Sequence, residues 1–341
     1  MQALSKKTGV LLVNLGTPDS PSVKDVRSYL FQFLNDKRVI DIPLLARKLL
    51  VNLIIVPFRA PKSAKIYQEL WTEKGSPIMI YGREVRSKLE KILGKGYDVH
   101  LAMRYKSPSL KAVLAAMKKK NYDKIIVLPM FPQYASATTG SVQEEVMRIV
   151  SQWWVIPEIR FISQFYDHPY FINAWKEIGV MHNWQNYDHV IFSYHGLPLR
   201  HVDKVYEEGI CDDHNCENEI TPQNKFCYKA TCYATTRMLA KELEIPESHY
   251  TVAFQSRLDK DWLEPFSDKV VIEKAESGCK KLLVFSPAFT ADCLETIVEI
   301  GIEYKELFKL HGGEELHLVE SLNDHPSWIR CMASLVTEKA T

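Results

Sequence analysis

Length, composition and charge already exclude several classes of protein. The chain has 341 residues, of which 46% are apolar, enough for two domains that each bury a core. Lysine and arginine number 43 against 42 aspartates and glutamates, which leaves a net charge of +1. A charge this small does not favour nucleic acid as a partner. The N-terminal residues lead into an apolar strand without a signal-peptide pattern, and no apolar run is typical of a transmembrane helix. We therefore expect a cytoplasmic protein.

Strand-like apolar runs occur in two sets of four, with helix-period segments between them. The first set covers residues 9–15, 99–103, 124–128 and 158–162, and the second covers 190–194, 250–254, 281–285 and 315–319. This alternation predicts an α/β fold of two Rossmann-like domains, each a four-stranded parallel sheet flanked by helices. We place the domains at residues 1–165 and 166–341, with the active site in the cleft between them.

Each predicted domain carries one long insertion after its first strand, at residues 35–81 and 199–231. Long insertions in compact domains are often functional. The chain has no P-loop pattern, and Gly9 and Gly16 do not complete a dinucleotide-binding motif. Neither ATP nor NAD is therefore expected as a cofactor.

Two strand ends of the second half carry residues suited to proton transfer. His195 follows the apolar run 190–194, and the Gly-Leu-Pro after it stops the strand. Asp292 and Glu295 follow the strand 281–285, at the start of a predicted helix. Because open parallel sheets bind ligands at these strand ends, a proton acceptor and two carboxylates are expected at one site.

The helix after residue 291 repeats acidic residues at intervals of three or four. Glu299 and Glu303 continue the series from Glu295 and would share one stripe of an α-helix. Such a stripe fits a solvated face, but carboxylates and an imidazole are also ligands for divalent cations. Both interpretations stay open on the spacing alone.

Seven segments spread over nearly the whole chain resemble the signature segments of one enzyme family, the ferrochelatases. They are VNLGTPDSP (13–21), GSPI (75–78), MRYKSP (103–108), LPMFPQYASATTGS (128–141), FSYHGLP (192–198), AFQSR (253–257) and SPAFTADCLET (286–296). On this resemblance the chain is identified as a member of that family. The resemblance implies a chelatase-type fold and a lyase that inserts Fe2+, its substrate, into a porphyrin without ATP, as the last step of haem synthesis.

The resemblance also implies roles for individual residues. His195 would accept pyrrole protons or hold the metal, Glu295 would be its partner acid and a metal ligand, and Glu299 and Glu303 match positions that bind metal in some members. Asp292, at the start of the same helix, is counted with them as a metal ligand from its position. The positions that resemble porphyrin-contacting residues are Leu15, Arg104, Tyr105, Phe131, Tyr134, Gln255, Ser256 and Trp262. Protoporphyrin IX is the favoured substrate. The alternatives are coproporphyrin III, a tetrapyrrole that takes Co2+ or Ni2+, and a two-lobed protein that binds porphyrin without turnover.

Four of the seven cysteines lie in the second insertion and suggest a metal-binding segment. They are Cys211, Cys216, Cys227 and Cys232, within a polar stretch that has no hydrophobic period. Four thiolates suit Zn2+, with His214 able to replace one, whereas disulfides are disfavoured in the cytoplasm. The family includes members with an internal [2Fe-2S] cluster, so the resemblance implies that cluster here, with structural Zn2+ as the alternative. The remaining cysteines are assigned to packing: Cys279, Cys293 and Cys331.

The most apolar stretch, residues 41–61, raises the question of membrane contact. On a helix, Arg47, Lys48 and Asn52 would form a narrow polar stripe beside a broad apolar face. The stretch is too short and too charged to span a bilayer, and it could be a buried helix. The family resemblance implies a hydrophobic lip, and with it peripheral association with the cytoplasmic face of the inner membrane. Pairing with a second copy of the chain stays open.

Overall fold

The computed structural model describes residues 7–338 and contains two four-stranded parallel sheets, which confirms the predicted α/β class. All eight predicted strands are present, and each lies within two residues of its predicted limits. The first sheet is formed by β1 (Thr8–Gly16), β2 (Tyr97–Tyr105), β3 (Lys124–Pro129) and β4 (Glu158–Phe161). The second is formed by β5 (His189–His195), β6 (Tyr250–Gln255), β7 (Lys281–Phe285) and β8 (Glu315–Leu318).

Helices connect the strands in both halves of the chain. In the first half they are α1 (Val23–Leu34), α2 (Leu44–Leu49), α3 (Val56–Leu70), α4 (Pro77–Leu93), α5 (Leu110–Lys118) and α6 (Ser141–Val150). In the second half they are α7 (Pro169–His182), α8 (Leu199–Asp203), α9 (Tyr228–Glu242), α10 (Ser267–Glu276), α11 (Lys305–Leu310) and α12 (Pro326–Thr337).

The two sheets have the same strand order. It is β2-β1-β3-β4 in the first sheet and β6-β5-β7-β8 in the second, and every pairing is parallel. The first strand of each half is therefore internal and reads as a continuous apolar run, because helices cover both faces of a parallel sheet. In the second sheet His195 lies opposite Gln255 at the carboxyl end.

The described chain forms two compact units. The first comprises the residues up to Phe131, Ser136–Ser163 and the residues from Ile329 onwards, and the second comprises Pro132–Ala135 and Gln164–Trp328. Each unit has its own apolar core, built on β1 and β3 in the first and on β5 and β7 in the second. The predicted limits at residues 1–165 and 166–341 assume a single cut through the chain and stay a prediction.

Three π-helical segments occur in residues 7–338, and the first and last of them lie where the sequence indicated an ordinary α-helix. They are Leu50–Ile55, Ser136–Gly140 and Glu295–Tyr304. A π-helix closes each turn with one more residue than an α-helix, and such segments are frequent at functional sites. The prediction that Glu295, Glu299 and Glu303 follow α-helical spacing was therefore wrong for this segment.

The first insertion is helical, since α2, the π-helix Leu50–Ile55 and α3 follow one another without a break. Arg47 was expected on a polar stripe, but it is buried and its Nη1 donates to the carbonyls of Ile40 and Ile42 at 3.2 and 3.1 Å. The guanidinium therefore fastens the turn before α2. The outward face carries large apolar side chains instead, and Leu45, Leu53 and Phe58 are 76%, 65% and 73% exposed.

Candidate functional site

His195 lies where the sequence predicted, as the last residue of β5. Its Nδ1 is 2.6 Å from the carbonyl oxygen of Gly196. Since a carbonyl can only accept, Nδ1 carries the hydrogen, and in the neutral ring Nε2 therefore presents its lone pair. The following residue has to be glycine, because a Cβ on Gly196 would stand 2.8 Å from the carbonyl oxygen of Gln255. The histidine is thus held in the tautomer that can accept a proton at Nε2.

Trp262 is fixed beside His195 by a short backbone pairing. Leu199 donates its N–H to the carbonyl of Asp261, and Leu263 donates to that of Leu197, both at 2.9 Å. The Trp262 ring lies 6.4 Å from the His195 ring, centroid to centroid. An aromatic surface and a proton acceptor therefore adjoin each other at this strand end.

The side chain of Gln255 connects the neighbouring strand end to the π-helix Glu295–Tyr304. It is buried, and its Oε1 accepts from Ser193 Oγ at 2.8 Å. Its Nε2 donates to the backbone carbonyl of Glu295 at 3.0 Å and to Glu299 Oε2 at 3.2 Å. The backbone carbonyl of Gln255 accepts from Gly196 N–H at 2.7 Å. One residue thus contacts both the segment after His195 and the helix that carries Glu295.

Glu299 is surrounded by hydrogen-bond donors. Its Oε1 accepts from the Ser256 N–H at 2.8 Å and from the Tyr304 hydroxyl at 2.9 Å. Its Oε2 accepts from Ser256 Oγ at 2.5 Å as well as from Gln255. Burial, and then the charge of Glu299, raises the pKa of Tyr304 well above its ordinary value, so the phenol stays a donor.

Asp292 is also occupied by protein donors. Its Oδ2 accepts from Asn323 Nδ2 at 2.7 Å, and its Oδ1 accepts from the Ser321 N–H at 3.1 Å and from Thr296 Oγ1 at 3.3 Å. The carboxylate therefore joins the start of the acidic segment to the chain after β8. Of the predicted metal ligands, Glu295 is partly buried at the first position of the π-helix, and Glu303 is exposed.

In the first unit, Arg104 and Tyr105 are both bonded to one aspartate that the sequence did not single out. Asp36 Oδ2 accepts from Arg104 Nη2 at 2.7 Å, from the Tyr105 hydroxyl at 2.8 Å and from Ser141 Oγ at 2.6 Å. Burial by itself would raise the pKa of Asp36, but these bonds, the Arg38 N–H and the charge of Arg104 lower it below its ordinary value. The first insertion is thereby tied to the end of β2.

The remaining predicted porphyrin contacts are apolar or aromatic and only partly exposed. Leu15 is half-buried near the end of β1, and Phe131 packs on the core of the first unit. Tyr134 packs edge-to-face on Phe226 at 5.7 Å in the second unit. Phe131 and Tyr134 thus also pack against protein side chains, and contact of all three residues with a porphyrin stays a prediction.

Three of the four clustered cysteines come together. The sulfurs of Cys211, Cys216 and Cys227 lie within 4.8 Å of one another, with Cys211–Cys227 at 3.6 Å and Cys216–Cys227 at 3.8 Å. Two thiolates on one tetrahedral metal, each at about 2.3 Å, lie about 3.8 Å apart. The buried triad therefore has the spacing of metal ligands. Cys232 is buried in the first turns of α9, and its sulfur is outside this group.

Polar neighbours single out Cys216 among the three. The Tyr206 hydroxyl lies 3.0 Å from its sulfur, and Asn224 Nδ2 donates to it at 3.6 Å. Bonds from Cys211 and Cys227, followed by those of Tyr206 and Asn224, lower the pKa of Cys216. The Tyr206 ring stacks on His214 at 4.2 Å, so this histidine borders the cysteines.

Sequence reasoning missed Asp36, Ser193, Tyr206 and Tyr304. Asp36 and its partner Arg104 are 68 residues apart, and Ser193 and Gln255 are 62 apart. Neither pair forms a local pattern. The only signal for Tyr304 is its spacing of five residues from Glu299. This spacing makes the two residues neighbours in a π-helix but not in an α-helix.

Comparisons with known proteins identify the family of the chain. The family profile described as ferrochelatase matches residues 7–340. A ferrochelatase from Legionella pneumophila (strain Lens) is 44% identical over 334 residues, which cover 98% of this chain and 99% of that protein. A ferrochelatase from Coxiella burnetii is 43% identical over 335 residues, covering 97% and 93%.

A solved structure with the same fold is that of SirB from Bacillus subtilis with Fe3+. It superposes with a TM-score of 0.51 at 13% identity, covering 97% of this chain and 94% of that one. At this identity the likeness supports the fold alone, whereas the family profile and the relatives extend over almost the full length. The chain belongs to the ferrochelatase family, whose members insert a metal ion into a porphyrin.

Proposed function

We propose that this protein inserts Fe2+ into protoporphyrin IX to give protohaem, the last step of haem synthesis, without ATP. The observation that supports it best is the geometry of His195, whose Nδ1 is committed to the Gly196 carbonyl while Nε2 is left to accept a proton. Insertion releases two pyrrole protons for each Fe2+ that enters the ring. A base at a strand end beside an aromatic surface can accept one proton at a time and pass it to solvent, so that the two protons leave in turn.

The carboxylates divide into two groups by their hydrogen bonds. Asp292 and Glu299 accept from neutral donors of the protein. Glu295 opens the π-helix at a partly buried position, and Glu303 lies further along it towards solvent. We therefore assign contact with the entering metal to His195 and Glu295, and an outer position on its path to Glu303.

A porphyrin has to be bent before a metal can enter, because its nitrogen lone pairs lie in the ring plane. Binding energy on a rigid aromatic surface can hold the ring in such a shape. Trp262 is suited to this role because backbone hydrogen bonds fix it beside His195.

The test compares substrates with purified protein under anaerobic conditions. Fe2+ with protoporphyrin IX, without ATP, should give the absorption of protohaem, and coproporphyrin III should react at a lower kcat/KM. A higher kcat/KM for coproporphyrin III would assign that porphyrin instead. Absence of insertion into either one, in protein that binds porphyrin, would favour the binding-protein alternative.

We further propose that Cys211, Cys216, Cys227 and Cys232 hold a [2Fe-2S] cluster. The buried triad brings three of the four sulfurs together. Because each iron of such a cluster takes only two cysteines, one of the three would move to the second iron, and Cys232 would turn towards that iron as the fourth ligand. A bound cluster would cross-link a segment that has little apolar core of its own. One equivalent of Zn2+, with no iron or labile sulfide in anaerobically purified protein, would assign the structural Zn2+ alternative.

The same protein would act in the cytoplasm at the surface of the inner membrane. Within residues 7–338 no helix combines the length and apolar character needed to cross a bilayer. The exposed leucines and phenylalanine of α2, the π-helix Leu50–Ile55 and α3 support surface contact instead. A poorly soluble porphyrin would then reach the site from the lipid.

A second copy of the chain stays open as a partner, and its presence is measured by light scattering of the eluted protein.

A further inference from the structure

The carboxylate of Glu299 has no lone pair left for a metal ion. A carboxylate offers about four acceptor sites, and four donors occupy them: the Ser256 N–H, Ser256 Oγ, the Tyr304 hydroxyl and Gln255 Nε2. All four donors are neutral, so they compensate the charge without a cation. A metal that used Glu299 would have to break several of these bonds.

The donors belong to the end of β6 and to the π-helix itself, so Glu299 joins the two. Ser256 has a φ of 62°, which non-glycine residues seldom adopt. In that conformation both its N–H and its hydroxyl meet the same carboxylate. Tyr304 follows Glu299 by five residues, the interval that one turn of a π-helix brings together. One carboxylate therefore accepts hydrogen bonds from both the strained turn and the π-helix.

Hydrogen bonds connect the same cluster directly to Glu295 and, through Gly196, to His195. Gln255 Nε2 also donates to the carbonyl of Glu295, at 3.0 Å. The backbone carbonyl of Gln255 accepts a hydrogen bond from the Gly196 N–H, and the Gly196 carbonyl accepts one from His195 Nδ1. A shift of the π-helix relative to β6 would therefore move Glu295 with respect to His195.

We propose that Glu299 is a positioning residue: it anchors the π-helix on the end of β6, fixes Glu295 relative to His195, and does not bind the metal. This differs from the metal role that the sequence indicated for Glu299. The inference rests on the proposed metal insertion for its kinetic consequences, but the anchoring itself is measurable without turnover.

The kinetic experiment uses Glu299→Gln, Tyr304→Phe and, as a matched surface control, Glu306→Gln. With Zn2+ and with Fe2+, we expect Glu299→Gln to lower kcat about 100-fold, as a small misplacement of reacting groups does. Tyr304→Phe should lower kcat in the same direction but less. The KM for each metal should change less than about twofold, because no ligand is lost. Glu306 is exposed on α11 and its variant should resemble the wild type.

Two measurements on porphyrin-free protein test the anchor whether or not insertion is observed. Hydrogen exchange of residues 291–304 should accelerate in Glu299→Gln and in Tyr304→Phe, but not in Glu306→Gln. Titration with Co2+ alone, followed by its visible absorption, should give the same Kd for Glu299→Gln as for the wild type. A Kd or metal KM raised tenfold or more, with exchange unchanged, would make Glu299 a ligand and overturn the inference. Wild-type exchange in Tyr304→Phe would likewise refute the anchor. An inactive wild type with the expected exchange pattern would reject the proposed function and leave the anchor in place.

Discussion

At the scale of single residues, the hydrogen-bond partners of a group decide what chemistry remains to it. The Nδ1–H of His195 donates a hydrogen bond to the Gly196 carbonyl, and the neutral ring keeps a lone pair on Nε2. Cys293, between Asp292 and Glu295 in the site segment, is buried, and burial raises the pKa of its thiol well above the ordinary value. It is therefore a protonated packing residue at neutral pH and takes no proton from the reaction.

Replacing His195 tests its assignment as the proton acceptor. His195→Ala should lower kcat for metal insertion about 100-fold or more, because general bases contribute about that much. His311, which pairs with Glu276 at the surface, provides the control, and His311→Ala should keep full activity. Circular dichroism should show both variants folded. Near wild-type turnover by folded His195→Ala, with either Fe2+ or Zn2+, would rule out the assignment.

A second histidine should make the stability of the protein depend on pH. Burial, with Lys274 and His249 nearby, lowers the pKa of His189 from 6.5 to about 4, and its Nε2 lies 2.9 Å from Thr251 Oγ1. Above pH 6.5 the ring is neutral in both the folded and the unfolded chain. As the pH falls towards 4, only the unfolded chain takes up the proton. The free energy of unfolding should then fall by about 1.4 kcal/mol per pH unit.

The measurement is urea unfolding of the wild type and of His189→Gln at pH 7, 6 and 5. Glutamine does not titrate and can still bond to Thr251. The difference in unfolding free energy between the two proteins should therefore shift in favour of the variant as the pH falls. A difference that is the same at all three pH values would show that His189 does not contribute.

At the scale of secondary structure, the two insertions carry different properties. The first is a continuous helical run whose outward side chains are apolar, and Asp36 ties its beginning to β2 and α6. The second has little regular structure before α9, and its buried side chains include three cysteine sulfurs in contact range. The segment proposed to contact lipid and the segment proposed to bind a metal group are thus separate in the sequence.

The exposed face of the first insertion predicts binding to lipid vesicles. Leu45, Leu53 and Phe58 all changed to Ser should weaken binding to vesicles of an anionic bacterial lipid mixture by about tenfold or more, since each removes a large apolar contact. The matched control changes three apolar residues elsewhere that are at least as exposed, Trp154, Val155 and Leu310. Vesicle sedimentation distinguishes the two triple variants, and unfolding curves should be nearly unchanged for both. Equal loss of binding in both would show that no lip-specific surface exists.

Much of the fold followed from the sequence because its signals are local. The eight strands were apolar runs bounded by glycine, proline or polar residues, and His195 was recognisable as a strand end. The π-helix Glu295–Tyr304 was not, because a 3.6-residue spacing of acids describes an α-helix equally well. Asp36 and Ser193 were missed because their partners lie more than sixty residues away. Long-range hydrogen bonds depend on the fold and leave no periodic pattern.

At the scale of the whole molecule, each unit has its own core and sheet, and the cysteine segment is part of the second unit. A segment ordered by a bound metal group contributes its binding free energy to folding. Loss of that group should therefore be visible in the second unit while the first unit stays folded.

Replacement of one cysteine tests this coupling. Cys227→Ser removes a sulfur that lies 3.6 and 3.8 Å from two others. The proposed metal group should then be lost, and residues 204–226 should become sensitive to protease. Insertion activity should fall as well, because α8 and this segment begin within a few residues of His195. Cys331→Ser, in α12, is the control and should keep the visible spectrum. An unchanged spectrum and protease pattern in Cys227→Ser would remove this residue from the ligand set.

The identical strand order of the two sheets has a consequence for how this architecture can change. In both halves the insertion occupies the same connection, from the internal first strand to the edge strand beside it. Extra chain there breaks no strand pairing, and doubling its length costs only about 0.6 kcal/mol in loop-closure entropy. The two connections are thus equivalent positions in the two sheets. One carries an apolar helical segment, and the other carries the clustered cysteines. Replacement of the inserted segment in either connection would change the surface or the metal-binding group that the protein carries there. The strand ends that carry the reaction would stay as they are.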